Sequence, residues 1–191
     1  MTMRVRTLAA AVACAAVLAG CFAGDPERAT PAGFVRYRGE GYTFAYPAGW
    51  TLRRATDERG HQLLHIDGPD VTPGVSLGQV SVGRERPAKL PFEEQLGQYR
   101  ALSVMSGRKV SVDREVKVSG AERAHRFEAV QPVRTSGGQP AQLQIIDIYV
   151  LTEDRTLLDF VVRAPEGGAA TARLPEVLAS FQVRPVERGQ G

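Results

Sequence analysis

The sequence contains very little cysteine: Cys14 and Cys21 are the only two cysteines in 191 residues, and both lie near the N-terminus. The rest of the chain therefore has no thiol for a disulfide, a thiolate metal site or a cysteine nucleophile. Asparagine is absent, which excludes N-linked glycosylation. Any domain formed by the remaining residues must be stabilised by its core.

The chain also lacks a strong charge of either sign. Its 24 basic and 21 acidic side chains leave a net charge of +3, and Arg4 and Arg6 at the N-terminus account for most of that excess. No cluster of lysine and arginine occurs elsewhere, so we expect no nucleic-acid partner. With 43% hydrophobic and 24% charged residues, the composition is that of an ordinary globular domain.

The N-terminal segment has the three parts of a signal peptide. Two arginines precede an apolar run from Leu8 to Leu18, and the small residues Ala19 and Gly20 follow it. A comfortable transmembrane helix needs about 20 apolar residues, and this run is shorter. Such a segment is also compatible with an ordinary secretory signal or an uncleaved membrane anchor.

The string Leu18-Ala19-Gly20-Cys21 resembles the lipobox of bacterial lipoproteins at all four positions. The resemblance implies that residues 1–20 are a signal peptide and that Cys21 becomes the first residue, acylated by chains such as palmitate. Two or three acyl chains would anchor the protein stably in the bilayer. We therefore expect a lipid-anchored protein on the extracytoplasmic face of the cell membrane.

The segment that follows predicts a lipidated, flexible tether over residues 21–33. It is rich in proline, glycine, alanine and charge, and it has too few large apolar residues to order itself. A chain of this length would hold the domain on the order of 20 Å from the bilayer. One folded domain is predicted over residues 34–185, with a disordered tail at 186–191.

Within that domain, hydrophobic periodicity predicts many strands and two helices. Strands are predicted at 34–38, 42–46, 51–54, 61–66, 75–83, 110–118, 122–130, 142–151 and 156–163. One helix is predicted within 87–107 and another over about 169–180, and residues from Gln182 onward are expected to fray. Glycine-rich and tight turns join neighbouring strands, so the fold class is α+β, an antiparallel β-sheet flanked by helices.

Two short strings carry a resemblance to a known fold. Gly41-Tyr42-Thr43-Phe44-Ala45-Tyr46-Pro47-Ala48-Gly49-Trp50 and Leu178-Ala179-Ser180-Phe181-Gln182-Val183 resemble the two ends of PsbP-like domains. Actinobacterial lipoproteins of the LpqN type are similar in having a lipobox, a short linker and this α/β/α sandwich. The resemblance implies a PsbP-like domain over 34–185 and a role as a non-catalytic binder, but the fold implies no common activity.

The string most typical of an enzyme is Gly74-Val75-Ser76-Leu77-Gly78, which fits G-x-S-x-G. A nucleophile elbow requires a strand before the serine and a helix after it. Here a loop precedes Ser76 and a strand pattern follows it, and His125 is the only histidine downstream. A serine hydrolase acting through Ser76 is therefore the less favoured reading, and a serine at a strand entry is the expected one.

Three side chains could contribute to a metal site. In a strand, His61, His65 and Asp67 would share one face, but a metal would need further ligands that the sequence does not supply. Hydrogen-bonded or surface histidines are expected instead, and His125, between arginines, is expected to be solvated. We predict neither a metal nor any other cofactor.

Asp147 and Asp159 are carboxylates inside apolar strands. Such an acid must be paired, exposed, or raised in pKa. A tight turn at Glu153-Asp154 would place the two on opposite faces, so we expect arginine ion pairs and no catalytic carboxylate pair. No catalytic residue is predicted.

The leading functional prediction is a membrane-anchored, non-enzymatic binding or accessory domain of the cell envelope, with an envelope protein as its partner. The alternative is a carrier of a lipid or other apolar ligand in a cavity between sheet and helix. Five aromatic residues could mark an exposed interface but are expected to be mostly core: Phe34, Tyr37, Tyr42, Phe44 and Trp50.

Overall fold

The computed structural model describes residues 29–57 and 60–184. The predicted signal peptide, Cys21, most of the tether and the predicted tail at 186–191 lie outside the described residues. No helix in the described ranges is long and apolar enough to cross a membrane.

The described residues form an α+β sandwich, which confirms the predicted fold class. The strands are β1 Phe34–Gly39, β2 Tyr42–Pro47, β3 Thr51–Thr56, β4 Gln62–Asp67, β5 Asp70–Thr72, β6 Val75–Ser76, β7 Gln79–Glu85, β8 Lys109–Glu115, β9 Arg123–Arg134, β10 Pro140–Leu151, β11 Leu157–Pro165 and β12 Gln182–Val183. The helices are α1 Phe92–Met105 and α2 Leu174–Ser180.

The centre of the fold is a seven-stranded antiparallel sheet in the order β3-β4-β7-β11-β10-β9-β8. The apolar stretches of β10 and β11 place these strands in the middle of the sheet, where both faces are covered. Two smaller sheets accompany it, β1-β2-β12 and the β5-β6 pair.

The main core lies on one face of the large sheet, beneath β1, β2, β12 and α2. Phe160 on β11 is fully buried there, with ring centroids 5.2 Å from Phe44 and 4.2 Å from Phe181. The indole of Trp50 packs on the backbone of Gly68 and Gly78 at the end of β4 and the start of β7. Trp50 therefore packs across the ends of β4 and β7, as a core residue at one end of the sheet.

Helix α1 covers part of the opposite face. Its buried residues are Phe92, Leu96, Tyr99 and Ser103, the face that helical spacing predicts. They pack on Phe127 of β9 and on the start of β11. One helix cannot cover seven strands, and much of this face therefore consists of polar side chains.

Three details differ from the predictions. Strand β8 ends at Glu115 and is mostly exposed, with Val110 39% exposed, because it is an edge strand of the large sheet and pairs with β9 alone among the described strands. Helix α2 begins only at Leu174, since Arg173 adopts a left-handed conformation at its N-cap. Gln182 and Val183 do not fray but pair with β2.

Candidate functional site

A pocket of about 430 Å³ lies between the N-terminal half of α1 and the polar face of the large sheet. Residues from β4, β7, β10, β11, α1 and the segment before α1 line it. They are His61, Leu63, Gly83, Arg84, Glu85, Lys89, Leu90, Gln95, Gln98, Tyr149, Leu157 and Asp159. Its volume lies in the range of small-molecule sites.

Asp147 and Asp159 lie on this same face, so the prediction that they face opposite ways is wrong. Leu151 pairs with Leu157, which makes residues 152–156 a loop of odd length and not a two-residue turn. Tyr149 is consequently opposite Asp159, and Asp147 lies two residues from Tyr149. Directly opposed residues of an antiparallel pair, and residues two apart on one strand, share a face.

Asp147 is 4% exposed and is paired with a tyrosine. The Tyr99 hydroxyl of α1 donates a hydrogen bond of 2.7 Å to Asp147 Oδ2. Burial raises the pKa of Asp147, although Tyr99 and the guanidinium groups of Arg108 and Arg163 oppose the shift. The predicted arginine ion pair is not formed in the described part of the chain, and the pair with Tyr99 instead fixes α1 to the sheet.

Asp159 forms part of the pocket and is only partly satisfied. Its Oδ1 atom is buried and has no hydrogen-bond partner among the described residues. Burial, reinforced by the nearby Asp147 carboxylate, raises the pKa of Asp159 to about 8, against the effects of Arg163, Arg108 and the Tyr149 hydroxyl. The carboxyl therefore carries a proton over much of the neutral range, and no arginine ion pair is formed with it here either.

The ionisable groups at the pocket mouth are already paired with one another. His61 Nδ1 lies 2.9 Å from Asp57 Oδ2, and His61 Nε2 lies 2.8 Å from Lys89 Nζ. Glu85 lies 3.8 Å from Lys89. The Arg84 guanidinium donates to Glu40, a residue outside the pocket. Asp159, which is hydrogen-bonded to Tyr149, is thus the one lining residue with a charged form that makes no ion pair within the described ranges, and its Oδ1 atom has no partner there.

Gly83 provides the space for the pocket. It lies between Leu63 and Asp159 in register, and a Cβ atom there would come within 3.7 Å of Asp159 Cβ and 3.8 Å of Leu63 Cδ2. These are ordinary van der Waals distances, so a Cβ atom would fit there, and a branched side chain would take space in the pocket beside Asp159.

Ser76 lies in the short strand β6 and not at a nucleophile elbow. Its hydroxyl donates to Asp70 Oδ1 at 3.2 Å, and the chain continues into β7 without a helix. His125 and Asp113 form a pair on β9 and β8, away from the β5-β6 hairpin. The arrangement that G-x-S-x-G chemistry requires is therefore not formed around Ser76 in the described residues.

His61, His65 and Asp67 are not brought together as metal ligands. His65 Nδ1 lies 3.0 Å from Ser81 Oγ, and Asp67 accepts hydrogen bonds from Arg53 and Gln79. Although burial opposes the change, those hydrogen bonds lower the pKa of Asp67. Within 29–57 and 60–184, no group of three His, Cys, Asp or Glu side chains could hold a metal ion.

The prediction that His125 is solvated is wrong. Its side chain is 13% exposed, its Nε2 lies 2.6 Å from Asp113 Oδ1, and its ring packs on Phe127. Hydrogen bonds from Arg100, with the further contact to His125, lower the pKa of Asp113 to about 2. The flanking arginines predict a solvated side chain, but His125 lies on the same face of β9 as Phe127, the face towards α1.

The aromatic residues near the N-terminus of the domain are mostly core, as expected. Phe34, Tyr42 and Phe44 are buried, and Tyr37 and Trp50 pack against the same cluster. They do not form an exposed interface.

These features define the chain as an antiparallel α+β sandwich with a polar pocket beneath one helix. Its fold is PsbP-like: it is similar to cyanobacterial PsbP (CyanoP) from Synechocystis, with a TM-score of 0.50, 16% identity, and coverage of 80% of this chain and 94% of that chain. The Ran-binding protein Mog1p of Saccharomyces cerevisiae gives a TM-score of 0.46, 16% identity, and coverage of 78% and 95%. No family model and no curated protein sequence matches the chain.

Proposed function

We propose that this protein is a lipid-anchored, extracytoplasmic binding protein of the cell envelope, non-enzymatic, which holds a small envelope component in the pocket beneath α1. The observation that carries the proposal is the buried Oδ1 atom of Asp159, which has no partner among the described residues although Asp159 itself lines an accessible pocket. A buried polar atom without a partner costs free energy, and a bound ligand can supply that partner.

The chemistry of the pocket favours this proposal over a carrier of purely apolar ligands. An acyl chain placed against Asp159 would leave the carboxyl unpaired and further removed from water, which is unfavourable. Leu63, Leu90 and Leu157 still offer apolar contact. The pocket thus favours a ligand with a polar group and an apolar body over a purely apolar one.

The anchor is tested by replacing Cys21 with alanine. We expect Cys21→Ala to abolish metabolic labelling with an alkynyl fatty acid, because the lipid is attached through the thiol, and to prevent the processing that depends on lipidation. Cys14→Ala is the matched control and should label as the wild type does. Labelling that persists in Cys21→Ala would contradict the lipid anchor.

Binding is tested on protein extracted from its own membranes. We expect native mass spectrometry to detect a bound small molecule on the wild type that is lost from Gly83→Val, since the valine side chain occupies the part of the pocket between Leu63 and Asp159. Gly97→Ala is the control, because Gly97 lies on α1 with open space around its Cβ position. Equal ligand occupancy in wild type and Gly83→Val would show that this pocket is not the binding site.

A further inference from the structure

The Asp159 carboxyl in the pocket beneath α1, with one oxygen unpartnered in the described part of the chain, distinguishes ligands by charge. Of the charged side chains that line the pocket, Glu85 and Lys89 offset each other, and Arg84 is engaged with Glu40. His61 is held between Asp57 and Lys89. What is left for a ligand is the Asp159 carboxyl, whose Oδ1 has no partner. A cation is the ligand charge that matches it.

The shape and lining of the pocket decide which kind of cation fits. A metal ion such as Ca²⁺ requires six to eight oxygen ligands, and the carboxylates of Asp159 and Glu85, the latter beside Lys89, with two amide side chains are too few. The walls are formed in part by Leu63, Leu90, Leu157 and the side chain of Tyr149, which suit an apolar body. Gln95 and Gln98 on α1 can accept hydrogen bonds from a multi-donor headgroup.

We propose that the pocket beneath α1 binds a small organic amine, with its ammonium group on Asp159 and its apolar body against the leucines and Tyr149. The inference rests on the proposed binding function and specifies its ligand class. In the unliganded protein the carboxyl avoids an unpaired charge by keeping its proton, and a bound ammonium takes the place of that proton. No covalent step is involved.

The experiment uses the full lipidated chain in detergent and isothermal titration with benzylamine. Benzyl alcohol and benzoate serve as neutral and anionic probes of the same shape, and they also report any partition into the micelle. We expect saturable binding of benzylamine that is about tenfold or more tighter than that of either isostere, because only the amine pairs with the buried carboxylate.

Two pocket variants and one control complete the test. Asp159→Asn should weaken benzylamine binding by about tenfold or more, and Gly83→Val should abolish it. Asp113→Asn, the same change at a carboxylate outside the pocket, should bind benzylamine as the wild type does. Undiminished binding to Asp159→Asn would overturn the assignment of the ammonium to Asp159.

The outcome also separates this inference from the proposed function. If benzoate or benzyl alcohol binds in a manner that Gly83→Val abolishes, while benzylamine does not, the amine class is overturned and the binding function stands. If no probe binds saturably, the amine class is likewise overturned. The proposed function itself fails only if native mass spectrometry shows no ligand that depends on Gly83.

Discussion

Replacing Phe160 by alanine is expected to lower the free energy of unfolding by about 3–5 kcal/mol, the range for removal of a buried aromatic side chain. Phe160 is fully buried on β11 and contacts Phe44 edge-on and Phe181 in a stacked arrangement. It therefore joins the large sheet to β2 and to the residue that follows α2. The lost side chain leaves a cavity between layers that cannot close without separating those elements.

Equilibrium urea unfolding of the purified protein measures this effect. Leu102→Ala is the control, because Leu102 is 60% exposed on α1 and its truncation should change the free energy of unfolding by no more than about 0.5 kcal/mol. Since a domain is stable by only about 5–15 kcal/mol, the loss at Phe160 is a large fraction of the total. A change below about 1 kcal/mol in Phe160→Ala would show that the two layers are not packed through this ring.

The packing of this core was accessible from the sequence because it depends on local patterns. The β1-β2 hairpin follows from alternating aromatic residues around Gly41, whose φ of +82° suits glycine. The buried face of α1 follows from helical spacing, and the PsbP-like fold from Gly41–Trp50 and Leu178–Val183. Each of these signals lies within a single element or a single turn.

The pocket could not be predicted in the same way, because it depends on register across several strands. One additional loop residue between β10 and β11 moves Asp159 from one face to the other, and Thr152-Glu153-Asp154-Arg155-Thr156 gives little local indication of which loop length forms. Gly83 meets Asp159 only through the β7-β11 alignment. A carboxylate in an apolar strand is the one available signal, and by itself it predicts an ion pair.

Replacing Asp159 by asparagine is expected to stabilise the protein at pH 8 and to have little effect at pH 4. Burial, with the adjacent Asp147, holds the pKa of Asp159 in the folded protein at about 8, against about 4 in the unfolded chain. Between these values the folded state binds a proton that the unfolded state does not, so this group makes stability fall as pH rises from about 4 to about 8. Asparagine cannot ionise, so the variant does not lose this stability as pH rises.

Asp159→Asn is expected to raise the free energy of unfolding by about 1–3 kcal/mol at pH 8. This is less than the full difference between the folded and unfolded pKa values would give, because the site relaxes when the carboxylate is charged. Urea unfolding of both proteins across this pH range measures it, and the difference between the two curves removes the contributions that the two proteins share. Asp113→Asn should behave oppositely. Arg100 holds the pKa of Asp113 at about 2, so its carboxylate adds stability above pH 4 that is lost as pH falls towards 2.

Opposite pH trends for the same Asp-to-Asn change would show that Asp159 makes no ion pair and is protonated in the folded protein. A loss of stability in Asp159→Asn at neutral pH would instead mean that the carboxylate is ionised and paired with Arg163. That result would also remove the vacant partner position on which the binding pocket depends. The stability of a ligand-free variant thus tests the same carboxyl that the proposed amine would engage, without any ligand being added.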